Sequence, residues 1–281
     1  MKFLRTWICG TAIIAAICAS QIGQALAGQT LDRIMKNGKI IVAMDTDYPP
    51  FEYLGPDNEM VGMDVDVAKE FAKRLGVGIE IVTPGFDTIT VGRWAGRWDI
   101  CIGSMTPTKA RAEVLDFPAI YYYTPATLVV NAANTTISEP EDAADKKIGV
   151  QLATTHEKYL QKDLVIDAIG APTIEYKISN PEIISYESEQ LAFEDLALGD
   201  GVRLDGVVSG LTTALSSIKA GKPLKVVGKP LFLEPIAVAV DKAEADADFT
   251  QKVKDIIEGM RGDGTLANIS TKWLGADVTN P

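Results

Sequence analysis

Apolar positions along the chain follow two rhythms that alternate. Short runs rich in β-branched residues, KIIVAMD (39–45), GIEIVT (78–83), WDICIG (98–103), ATLVVN (126–131), KIGVQ (147–151), LDGVVS (204–209) and LKVVG (224–228), are predicted strands. Helical spacing lies between them: Val65, Ala68, Ala72 and Leu75 recur at i, i+3, i+7 and i+10 and mark one apolar face. Phe249, Val253, Ile256, Ile257 and Met260 form a later stripe that ends before Gly262 and Gly264 and is expected to pack on the core. The alternation predicts an α/β protein with mainly parallel sheets. Residues 123–130 and 231–240 each carry a proline, Pro125 and Pro235, and are candidates for two irregular crossings between lobes.

The first 27 residues break this pattern. Lys2 and Arg5 precede an apolar run from Trp7 to Ala19, and Ala25-Leu26-Ala27 supplies an A-x-A site, so residues 1–27 are expected to be a signal peptide cleaved near Ala27/Gly28. The run is too short for a membrane span. Ile8 and Ile17 stand before Cys9 and Cys18 where a lipid-modified leader needs a small residue, so a soluble periplasmic chain is expected. Removing the leader leaves 254 of the 281 residues and moves the formal charge from −11 to −13, since Lys2 and Arg5 leave with it. That acidity excludes a nucleic-acid partner, which needs a basic stripe. One cysteine remains, Cys101, inside an apolar stretch; it is expected to be a buried small hydrophobe and has no partner for a disulfide. One histidine, His156, argues against a histidine metal site, and no cofactor is expected.

Candidate chemistry gathers in GSMTPTKAR (103–111). Thr106 suits an N-cap and Pro107 the first helical position, so unpaired N–H groups, hydroxyls and Arg111 would face one way, where an anion would sit.

The stretch DTDYPPFEYLGPDNEMVGMDVDVAKEFAKRLG (45–76) resembles the amino-acid-type periplasmic solute-binding proteins of ABC uptake systems. The resemblance continues in order through WDICIGSMTPTKAR (98–111), LDFPAIYYYTPATLVV (115–130), IGVQLATTHEKYL (148–160), LDGVVSGLTTALSSIKAG (204–221) and MRGDGTLANISTKWLG (260–275). It implies a type II periplasmic-binding-protein fold: two Rossmann-like α/β lobes joined by hinge strands and closing on a small ligand. The expected division is 28–125 and 236–281 for lobe 1 and 126–235 for lobe 2. It also implies a monomer that hands its ligand to a membrane ABC permease, with a receptor ectodomain as an alternative partner. Arg111 resembles the arginine that grips a ligand carboxylate, a task a planar guanidinium performs with two parallel N–H bonds. Thr106 and the Ser104 backbone complete that side, and Thr154 and Thr155, in a turn resembling G-T-T, face it from the other lobe. Tyr48, Phe51 and Phe86 fall where the family lines its pocket with aromatic faces. Trp94 and Trp98 are assigned to structure.

One position departs from the family. Gly210, after Ser209, stands where relatives that bind free amino acids carry an aspartate for the ligand ammonium. An unpaired ammonium in a closed cleft costs several kcal/mol, so either the ligand lacks a free primary amine or another acid replaces the aspartate. Asp45 is the first candidate, Glu52 and Glu194 the next. The glycine would also widen the pocket toward an N-substituted, opine-like, cyclic or methylated amine. The alternative is an enzyme of the cyclohexadienyl or arogenate dehydratase type, in which Lys158 beside Glu157 would assist loss of water and CO₂.

Overall fold

The computed structural model describes residues 29–281 apart from Gly170, Pro172 and Ala245, so the expected leader lies outside the described residues. The strands are β1 (Lys39–Ala43), β2 (Asp47–Tyr48), β3 (Glu52–Leu54), β4 (Met60–Val61), β5 (Gly78–Val82), β6 (Ile100–Met105), β7 (Leu115–Asn131), β8 (Lys147–Gln151), β9 (Glu182–Tyr186), β10 (Gly206–Gly210) and β11 (Leu224–Asp241). Eight of them form one sheet in the order β5-β1-β6-β11-β7-β10-β8-β9, and β2-β3-β4 form a small second sheet beside it. The four outer pairings are parallel, as alternation with helices requires. The three that involve β7 or β11 at the centre are antiparallel, so the sheet is mixed rather than mainly parallel.

The two crossings are long strands rather than loops, with register shifts between Val227 and Phe232, Ile236 and Ala237, and Val238 and Val240. β7 and β11, 17 and 18 residues long, pair along their length and serve both ends of the molecule. Pro125 lies opposite Leu233 and Pro235 opposite Tyr123, in a stretch where each strand has only the other for a neighbour. Tyr123 N–H points away from β11 and donates to Val278 O at 2.9 Å. Every second residue of a strand faces the same edge, and opposed residues in an antiparallel pair point their N–H groups alike, so both prolines have the missing N–H on an outer edge. No ladder bond is lost there. Apolar packing divides around this ribbon: two buried clusters draw on residues 34–122 and 236–266, two others on residues 126–232.

The GMDVD stretch shows why the first half of the fold holds together. Asp64 and Asp66 stand in the first turn of the helix Met63–Leu75 and Lys73 and Arg74 in its last, complementing the helix dipole, and Val65, Ala68, Ala72 and Leu75 are buried as their spacing predicts. Gly62, at φ 135°, lies so close to the Phe51 carbonyl that no side chain fits. That approach lets Met63 N donate to Pro50 O at 3.1 Å and Asp64 N to Phe51 O at 2.9 Å. Asp66 accepts from Lys272 Nζ at 2.6 Å and Trp273 Nε1 at 2.7 Å, fastening the C-terminal helix Thr265–Leu274. The stripe from Phe249 to Met260 is buried in the core, and Cys101 is fully buried, its thiol pushed well up by desolvation. Trp94 and Trp98 pack on each other at 5.6 Å inside the first half.

Candidate ligand-binding site

A cleft with a cavity of about 30 Å³ lies where the two halves meet over the ribbon. Arg111 enters it from the short 3₁₀ turn Arg111–Glu113 and is 7% exposed. Its Nη1 donates to Thr106 O at 2.7 Å and its Nη2 to Ala153 O at 2.8 Å, on opposite walls, and the guanidinium lies 5.2 Å from the Phe86 ring centre. Burial lowers its pKa to about 10, which leaves it a cation at neutral pH. The helix expected to start at Thr106 does not form. Lys109 N donates to Val165 O at 2.9 Å and Asp167 N to Pro107 O at 3.0 Å, so the backbone of residues 107–109 pairs across the cleft instead of coiling. Thr108, not Thr106, accepts the Arg111 N–H, at 3.2 Å.

The facing turn is held left-handed at Ala153, φ 63°. Glu157 locks it by accepting from Ala153 N at 2.9 Å and from Ser185 Oγ at 2.7 Å. Thr154 is the N-cap of the helix Thr155–Leu160: it accepts from Glu157 N at 3.3 Å and donates to Gln151 O at 2.7 Å. Thr155 turns its hydroxyl into the cleft. Lys158 bonds Gln161 at 3.0 Å and lies outside the cleft, while Glu157 fixes the turn.

A residue without any sequence signal occupies the centre. Glu234, on β11 and 3% exposed, accepts the Thr106 hydroxyl at 2.9 Å and the Thr155 hydroxyl on Oε1, while His156 Nε2 stands 3.1 Å from Oε2. Burial pushes the Glu234 pKa up, but the charge and hydrogen bond of His156 and the two threonines together hold it below the usual carboxylate value. Burial likewise works against the His156 cation, and Glu234, with help from Glu189, overcomes it and raises the histidine pKa. The pair is therefore ionised at pH 6, and it links both walls to the ribbon.

Other expected site residues divide. Asp45 lines the cleft, but its oxygens accept Thr46 N and, across the cleft, Gln151 Nε2, each at 2.7 Å. Glu52 lines it too. Burial, and after it the neighbouring Asp64, raise Glu52 well above the carboxylate range, so it is neutral and a poor partner for a cation. Ser104, at φ 48°, gives its N–H to Asp64 at 2.7 Å and its hydroxyl at 2.8 Å, so its backbone is unavailable to a ligand. Tyr48 and Phe86 form walls. Phe51 is fully buried behind Tyr48, stacked between it at 5.4 Å and Tyr122 at 4.9 Å, and does not reach the cleft. Ser209 is buried with its hydroxyl on Gly210 O at 3.0 Å. Glu194 is exposed and paired with Lys222 on the surface. The sequence missed Gln151, His156, Glu189 and Glu234, all in the cleft wall.

The model of the family described as bacterial extracellular solute-binding proteins, family 3, matches residues 40–276. The chain belongs to this family. As a family 3 solute-binding protein it is similar to the L-cystine-binding protein TcyJ of Escherichia coli (strain K12), 27% identical over 277 residues that cover 98% of this chain and 97% of that one. It is similar also to the ABC transporter arginine-binding protein 1 of the same strain, 29% identical over 93% of this chain and 98% of that one. The crystal structure of the ancestral amino acid-binding protein AncCDT-1, a precursor of cyclohexadienyl dehydratase, matches with a TM-score of 0.75 at 31% identity, covering 88% of this chain and 100% of that chain. The fold is thus that of type II periplasmic binding proteins, and these curated relatives are transport binding proteins rather than enzymes. No helix among the described residues is long and apolar enough to cross a membrane.

Gly210 does not widen the pocket of this family member. It lies outside the cleft wall, and a Cβ built there meets the Tyr48 hydroxyl well inside van der Waals contact, so Tyr48 fills the space. Its backbone, φ −63°, would accept any residue. Gly210→Ala should therefore displace Tyr48 and lower stability by about 1–3 kcal/mol through overpacking, read by urea denaturation; an unchanged midpoint would show that Tyr48 moves freely.

Proton uptake sets a second expectation. Burial raises Glu52, Asp64 and Glu189, the last to about 7, and His156 is also raised. For groups raised on folding, the stabilisation is complete below their unfolded values and lost as pH climbs through the folded ones. Glu234, lowered, is ionised throughout this range. The ligand-free protein should resist urea better at pH 5.5 than at pH 8, and a flat or reversed profile would mean these acids are solvated.

Proposed function

We propose that this chain is the periplasmic solute-binding component of an ABC importer for a small amino-carboxylate, seated with its carboxylate on Arg111. The observation that carries the reading is the buried Arg111 guanidinium bridging Thr106 on one wall and Ala153 on the other, with N–H groups left over for a carboxylate. Thr106 and Thr155 add support, because their hydroxyls already hold a carboxylate, that of Glu234. Residues 28–125 and 236–281 would form one lobe and 126–235 the other, closing about the β7–β11 ribbon and presenting the closed face to a membrane permease. Residues 1–27 would be removed on export.

The cleft is acidic, with Asp45, Glu189 and Glu234 against Arg111 and His156, which favours a ligand that also carries a cation. Relatives named for arginine and cystine bind molecules of that kind. The N-substituted and opine-like reading loses its geometric reason, since Tyr48 takes the space beside Gly210. A thermal-shift screen of the unfolded and refolded protein tests all of these, with L-arginine, L-cystine, opine-like conjugates, betaines and prephenate. A ligand at 100 times its Kd adds roughly 2.7 kcal/mol. A shift with an amino acid is expected; a shift with prephenate and its turnover would overturn the reading.

A further inference from the structure

We propose that Glu189 is the receptor for the ligand's protonated amine, and that the ligand therefore carries a primary or secondary ammonium. This rests on the reading that Arg111 holds the ligand's carboxylate.

Glu189 opens the helix Glu189–Ala197, behind the N-cap Ser188, whose hydroxyl reaches Asp47 at 2.8 Å. The Glu189 side chain is 1% exposed and forms part of the cleft wall, yet neither carboxylate oxygen has a hydrogen-bond partner. The Ser209 hydroxyl, close enough to temper its charge, is turned onto the Gly210 carbonyl, and the nearby Gly210 N–H misses hydrogen-bond geometry. His156 Nδ1 stands 3.6 Å from Oε1, an ion pair without a hydrogen bond, and the ring's other nitrogen is engaged by Glu234, so this cation is shared between two carboxylates and gives Glu189 no donor. Tyr48 and Glu234 also face this group, and neither brings a positive charge.

The other three cleft acids are already satisfied. Asp45 accepts Thr46 N and Gln151 Nε2, Glu52 is held neutral by burial and the neighbouring Asp64, and Glu234 holds two threonines and the histidine. A buried carboxylate without donors is relieved either by taking a proton or by meeting a cation. An ammonium brings up to three N–H donors to two empty acceptors. A quaternary amine brings none, so betaines should bind poorly.

The test uses the full mature chain, with L-arginine and L-cystine as probes and calorimetric Kd values at pH 6 and pH 8. Glu189→Gln should weaken whichever probe binds by tenfold or more. It should also abolish much of the tightening between pH 6 and pH 8, which in the wild type accompanies release of the Glu189 proton. Glu189→Asp, which keeps the charge, should fall between the two and guards against a misfolded Gln variant. On the wild type, the N-acetyl form of the probe should bind at least tenfold more weakly. Binding of a probe with equal Kd and equal pH dependence in wild type and Glu189→Gln overturns the assignment and leaves the Arg111 reading standing. If the wild type binds neither probe, nor any amino acid of the screen, the Arg111 reading fails and this inference falls with it.

Discussion

Glu234→Leu should lower the melting temperature by about 6–20 °C. The carboxylate it removes is the shared acceptor of Thr106, Thr155 and His156. Leucine would leave a charged imidazole and two hydroxyls buried without partners, and breaking a buried pair from one side costs about 3–5 kcal/mol. A domain of this size loses about 2–4 °C for each kcal/mol. Glu234→Gln keeps the shape and one acceptor oxygen and should cost less. Differential scanning calorimetry at pH 6, where both members of the pair are ionised, is the measurement. A fall under 2 °C for the leucine variant would mean the cleft stands open in solution and the carboxylate is hydrated.

Arg111→Met should weaken ligand binding by a factor of about 10²–10⁴. Two charge-assisted hydrogen bonds to a carboxylate contribute about 1.5–3 kcal/mol each, and the methionine supplies neither bond nor charge. Arg111→Lys separates charge from geometry: it keeps the cation but cannot fork, and should still lose tenfold or more. Both variants also release Thr106 O and Ala153 O, so melting curves must accompany the titrations. Retention of wild-type affinity by Arg111→Lys would show that the ligand is held by charge alone, and retention by Arg111→Met would refute the carboxylate reading.

The contrast between these two residues shows what the sequence makes visible. Arg111 was legible because it stands behind Ser104 and Thr106 in a recognisable run, and the strand pattern around it repeats at a period the eye can follow. Glu234 sits in LFLEPIAVAV, where an acid between apolar residues looks like the exposed side of a strand. Its burial depends on β11 running under both walls, a fact of pairing over a hundred residues. Glu189 resembles any acid in the first turn of a helix. Gly210 misled for the same reason: the atom that fills its space belongs to Tyr48, far away in the chain. β9 and the β2–β4 sheet were missed because short strands with mixed burial carry little periodic signal.

In the proposed opening of the cleft, the ribbon of β7 and β11 would be the part exposed. Parting the walls would bare two strand edges at the middle of the molecule, the kind of surface on which a second chain can add itself. Pro125 and Pro235 present no N–H there, and the outward N–H of Tyr123 is already taken by Val278 from the C-terminal tail. If the proposed lobes open about this ribbon, it would be defended against self-association in the open state, where a third strand would also splint it rigid.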